Sequence, residues 1–144
     1  MQRFSLIFLL LMVGCSSNNN VEALNAWDKK YNECDIIAKE NNKPFPETAW
    51  FKSLSLEDKK EVVIYVFKLN DYNCARDEAN SLHDALIKND NQSLLTFFNG
   101  LKYFEPVNDE RIKHLDKKQI DLIVSEFNLP FKGSKVAEQL GFYN

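Results

Sequence analysis

Glycine is scarce in this 144-residue chain, with four in all, and none falls in GxGxxG or another phosphate-cradling loop. Nucleotide binding is therefore without support. No serine sits in GxSxG, so the commonest nucleophile elbow is missing as well. Histidine occurs twice, at His83 and His114, with no short paired spacing to each other or to a cysteine, which leaves a metal centre without a ligand set. Charge of one sign is lacking too: 18 Lys and Arg stand against 21 Asp and Glu. The lysine pairs at 29–30, 59–60 and 117–118 each lie beside acids and read as mixed-charge solvated faces, so a nucleic-acid-binding stripe is excluded. No hydrophobic run is long enough to span a bilayer. The stretch from Phe4 to Val13, at roughly 1.5 Å per residue, falls well short of a ~30 Å hydrocarbon core.

What is present is the composition of a folded globular protein, 44% hydrophobic and 27% charged, behind a distinctive N-terminus. Met1-Gln2-Arg3 is a short positive region, Phe4 to Val13 an apolar one, and the stretch closes on Met12-Val13-Gly14-Cys15. That tetrad resembles the lipobox of bacterial lipoproteins, in which small residues precede a cysteine that is diacylated on sulfur before cleavage; Met12 stands where leucine is commoner. The resemblance implies a signal peptide over 1–14 and a Cys15 carrying diacylglycerol and an amide-linked chain such as palmitate. It implies a protein anchored to a membrane by several acyl chains. An ordinary secretory signal and an uncleaved anchor are the alternatives. Ser16, with no aspartate after the cysteine, resembles the pattern that directs a lipoprotein to the outer membrane, here with the domain facing the periplasm. Residues 15–20 are read as the lipidated cysteine and a polar flexible tether, and residues 21–144 as one domain. Without the signal the net charge is −4, because Arg3 is lost.

With Cys15 lipidated, Cys34 and Cys74 remain, and in an oxidising compartment they are expected to form one disulfide; free thiols and a metal site are the alternatives. Closing a loop of about 40 residues stabilises by roughly 4 kcal/mol in the chain-entropy account.

The mature chain reads as all-α, a compact bundle of five or six short helices, with an α+β fold carrying a strand near 62–67 as the alternative. Leu24, Trp27, Tyr31, Cys34 and Ala38 recur at steps of three and four and predict a helix over about 21–41. Pro44 and Pro46 stop it. Ser55 followed by Asp58 is a capping signal for a helix through Val62-Val63-Ile64-Tyr65-Val66-Phe67, surrounded by apolar neighbours at the centre of the domain. Asn70-Asp71-Tyr72-Asn73 reads as a turn, and a third helix is expected over about 73–88. Asn89-Asp90-Asn91 breaks the chain before a fourth helix from Leu94 that ends around Gly100 to Tyr103. Asp116 caps a further helix that stops before Leu129-Pro130, and a last one runs from Ser134 to Leu140 with Gly141 as terminator.

No constellation predicts catalysis, and no cofactor is expected. His83-Asp84 are adjacent on a helix and point about 100° apart. Glu110 and His114, four apart, read as an exposed pair. The 18 aromatics are generous for so small a core; core packing accounts for most of them, and a partner surface is the alternative for the rest. Surplus apolar surface rimmed with charge is how a groove for a partner helix or peptide is built. The expected function is accordingly a lipid-anchored protein-binding module. The leading form is an inhibitor or immunity lipoprotein that sterically occludes a toxin or phage component, with Asp77, Glu78 and Glu110 meeting a basic target. Another is a pilotin-like assembly lipoprotein that holds a client helix, for instance of an envelope channel, on Phe97, Phe98, Phe104 and Phe127. An envelope hydrolase is the alternative outside the binding class, and it requires His83 or His114 in a pocket with a carboxylate.

Overall fold

The computed structural model describes residues 17–143. The segment expected to be a signal peptide, the Met12 to Cys15 tetrad and the cysteine expected to be acylated lie outside them. Among the described residues there are six helices and no strand: α1 (Ser17–Glu40), α2 (Ala49–Ser53), α3 (Leu56–Lys88), α4 (Gln92–Gly100), α5 (Lys117–Glu126) and α6 (Gly133–Gln139). The all-α expectation holds, and the strand alternative near 62–67 is replaced by helix. Four residues of the segment read as tether, 17–20, form the first turn of α1.

The largest departure from the sequence reading is α3. It is one helix of 33 residues, about 50 Å long, where two short helices and a turn at 70–73 were expected. Leu56 to Lys88 contains no glycine or proline, so nothing in it forbids helix. Asn and Asp disfavour helix mainly because their side chains compete for nearby backbone. The Asn70 amide is committed elsewhere: it is buried and donates to the carbonyls of Phe127 at 2.7 Å and Leu129 at 2.9 Å. That long-range anchor removes the local competition. The N-terminus of α3 is as the sequence predicts, with the Ser55 hydroxyl accepting from the Asp58 amide at 3.1 Å.

Helix α3 is the spine against which α1, α4 and α6 pack. Cys34 of α1 is bonded to Cys74 of α3, with a Cα–Cα distance of 6.1 Å. The bridge therefore ties the first helix to the middle of the spine, not to the start of a separate third helix.

Two apolar cores share that spine. The first joins Phe45, α2, the N-terminal half of α3, α5 and α6, and buries Phe45, Phe51, Val62, Val66, Ile123, Phe127 and Phe131. Ile64 and Phe67 are about two-fifths exposed, at 40% and 37%, so α3 has an apolar stripe here and is not surrounded on all sides. The loop into this core is fastened by Gln139, whose amide accepts from the Phe45 N–H at 2.9 Å and donates to the Phe45 carbonyl at 3.3 Å. The second core gathers Leu82, Leu86, Leu95 and Phe98, flanked by Leu24, Trp27, Tyr103 and Phe104.

Three helices end in the same reversal. After α6, Gly141 takes φ 67°, its N–H donates to the Glu138 carbonyl and the Phe142 N–H to that of Ala137. The same pair of bonds closes α3 with Asp90 at φ 50° and α4 with Lys102 at φ 59°. A lysine at that position carries a steric cost that glycine would not.

Candidate functional site

The four phenylalanines expected to anchor a client do not form one surface. Phe98 and Phe127 are buried in the second and first cores respectively, at 3% and 1% exposure. They are packing residues, not partner contacts. Phe127 packs between Phe45 and Phe131 at centroid distances of 5.2 and 4.9 Å. Phe104 is half-buried between Phe98 and His83, at 5.5 and 4.6 Å. Phe97 is exposed. Sequence alone does not separate the four, because burial depends on which face of a short helix meets a distant neighbour.

The acids are equally dispersed. Asp77 is exposed with the Arg76 guanidinium on it at 3.2 Å, and Glu110 holds the Lys113 ammonium at 2.6 Å. Glu78 is half-buried on α3. Glu110 does not meet His114; the His114 Nε2 lies 2.9 Å from Asp58 Oδ1 instead. The Asp58 carboxyl is held below its ordinary pKa by the Ser55 hydroxyl first and by His114 second. Beside that pair, Arg111 is salt-bridged to Glu61, so the two contacts clasp the 109–115 segment to the first turns of α3.

An aromatic-lined concavity of the surface lies elsewhere, along the middle of α3. It is a groove of about 410 Å³ whose floor is Ala75 and Ala79. Trp27 and Tyr31 of α1, Phe67 and Tyr72 of α3 and Tyr103 after α4 supply aromatic walls, and the 105–108 linker closes one side. The geometry follows from helix periodicity. Phe67, Asp71, Ala75 and Ala79 are spaced by four, as are Lys68 and Tyr72, so they share one face once α3 is continuous. Small residues at 75 and 79 lower the floor while tall aromatic rings raise the rims. Trp27 stacks on Tyr31 at 5.5 Å and meets Tyr103 edge-on at 5.4 Å, which fixes the wall.

Electrostatically the groove is unusual. The Tyr103 side chain beside it, and burial after that, push the Tyr31 phenol up to about 12, so it stays neutral. Burial raises the Asp71 carboxyl above its ordinary value, with Lys132 opposing and Asp35 adding to the shift. Lys132 is itself salt-bridged to Asp35, whose carboxyl that ammonium and Lys39 hold low. Tyr31, Asp71, Tyr72 and Tyr103 were not singled out from the sequence as site residues. The periodic signal at 67, 71, 75 and 79 is legible only if 70–73 is helix.

A smaller concavity of about 270 Å³ is lined by Lys43, Lys132 and Lys135. Its ammoniums are already committed: Lys43 to the Glu126 carbonyl, Lys132 to Asp35, and Lys135 to the Lys39 carbonyl and the Asn42 side chain. Among the described residues no group of three His, Cys, Asp or Glu side chains is placed to hold a metal, and no helix is long and apolar enough to cross a membrane. No family model, curated protein or solved structure matches the chain.

Proposed function

We propose that this protein is a lipid-anchored, periplasm-facing binding module that holds a segment of another protein in the α3 groove. The observation that carries the reading is the groove itself: a two-alanine floor between aromatic walls drawn from α1, α3 and the turn after α4. Rigid aromatic rings lose little entropy on binding and supply most of the contact energy in such recognition. The anchoring part rests on the Met12 to Cys15 resemblance. A pilotin-like role, keeping a client segment at the outer membrane, fits this groove better than occlusion by an acidic face. Asp77 and Glu110 each have a basic neighbour, and no shared acidic surface is formed from them and Glu78. A hydrolase fits least, because neither histidine lines the groove: His83 lies tilted against Phe104 and His114 engages Asp58.

The test is in-cell crosslinking from a photoreactive residue placed at Tyr72, with one at exposed Lys52 as the control. One envelope protein captured from Tyr72 and not from Lys52 is the expected result. A toxin or phage component captured there would move the function to the inhibitor class, and capture of nothing from Tyr72 would remove the protein-binding reading. Cys15→Ala is expected to shift the protein from the membrane to the soluble fraction.

A further inference from the structure

Four charged side chains line the groove, Lys68, Asp71, Lys102 and Glu105, and only Asp71 among them is half-buried. Asp71 is half-buried, yet among the described residues no hydrogen bond or salt bridge satisfies its carboxylate. The Lys132 ammonium acts on it only through space, because that ammonium is bonded to Asp35. The Tyr31 phenol interacts with Tyr103. A carboxylate partly withdrawn from water with no bonded counter-charge costs a fold stability. Such an arrangement persists when the missing partner arrives with a ligand. The surroundings indicate which ligand: Trp27, Tyr31, Tyr72 and Tyr103 line the same groove, and aromatic rings attract cations through their faces.

We propose that the groove receives a single arginine side chain carried by the docked segment, with Asp71 as its counter-ion and the aromatic rings as its walls. The inference rests on the groove being a protein-docking site. Arginine suits it better than lysine because its planar guanidinium stacks on rings and presents paired donors to a carboxylate. Lys68 and Lys102 are exposed on the same lining against the single exposed carboxylate of Glu105, so with Asp71 paired the lining keeps a net positive charge that disfavours further cations. The recognised segment is thus one arginine among neutral or acidic neighbours, not a polybasic stretch.

Trp27 reports occupancy directly once Trp50 is replaced, since the chain has two tryptophans. In the Trp50→Phe protein, Trp27 fluorescence is titrated with the blocked peptide Leu-Arg-Glu and with its neutral citrulline counterpart. Binding about tenfold tighter for the arginine peptide is expected, and Asp71→Asn should erase the difference while far-UV circular dichroism stays unchanged. Equal affinity for the two peptides, no response to either, or a preference that survives Asp71→Asn overturns the proposal. Asp71→Asn is also carried into the Tyr72 crosslinking experiment. If the partner is still captured undiminished, the arginine inference fails and the docking reading stands. If the arginine preference is present but no protein is captured, the docking reading fails and the cation site stands.

Discussion

The two cores of this molecule are built from the same long helix and differ in how completely they are sealed. The first encloses Phe45, Phe51, Phe127 and Phe131 at 1–2% exposure and ties its loops down with side chains: Gln139 on the Phe45 backbone and Asn70 on the carbonyls of Phe127 and Leu129. The second keeps Leu82 and Leu86 fully buried but leaves Trp27, Tyr103 and Phe104 partly open. Interlocked phenylalanines serve stability. Half-open tyrosine and tryptophan, apolar at one end and polar at the other, are side chains suited to recognition. The groove accordingly borders the second core.

Each core contains one tryptophan, Trp50 in the first and Trp27 in the second, so Trp→Phe variants let the two be followed separately. The largest expected effect is from Phe127→Ala, which opens a cavity in the sealed core and should cost about 3–5 kcal/mol in denaturant unfolding followed at Trp50. A comparable loss would be absent if the two cores were equally loose. Removing the Cys34–Cys74 bridge by the double alanine variant should cost about 2–4 kcal/mol, and the Trp27 transition is expected to fall below the Trp50 transition. Coincident transitions would show that the spine alone couples the cores.

Smaller effects sharpen the contrast. Lys102→Gly relieves a left-handed lysine next to the second core and should stabilise by up to about 1 kcal/mol; Asp90→Gly should give less, since aspartate tolerates that conformation better. The smallest effects are in the pH dependence, and they have opposite signs. Asp58 has a lowered pKa in the folded state, so its contribution is present above the unfolded value near 3.8 and lost as pH falls through the folded one. Asp71 has a raised pKa, so its cost is absent below 3.8, builds up as pH rises from there towards the folded value and is complete above it. Thermal melts near neutral pH should therefore show Asp58→Asn less stable than the parent and Asp71→Asn as stable or more so. On acidification both differences should shrink.

Much of the fold is written locally. The caps at Ser55 and Asp116, the break at Asn89 to Asn91 and the glycine after α6 are each set by one or two residues, and the structure has them where the sequence predicts. The pairing of Cys34 with Cys74 is the one expected once Cys15 is set aside for acylation. What is not local is not legible. Asn70 looks like a turn residue until the carbonyls 57 and 59 positions away claim its amide. Reading 70–73 as a turn then breaks the 67, 71, 75, 79 series and hides the groove. Phe97 and Phe98 are adjacent in sequence, and only the position of α4 on α3 decides that the second is core and the first is surface.

The bridge between α1 and the middle of α3 also governs how tension travels. A pull at the N-terminal end of α1 passes through sulfur into the spine at Cys74 and bypasses the intervening chain, a separation of 40 residues. α2, Phe45 and the first half of α3 sit inside that covalent loop and bear none of the load. While the bridge is intact, drag on a captured segment would stretch the α1 and α4 end of the molecule and leave the loop's contour length locked.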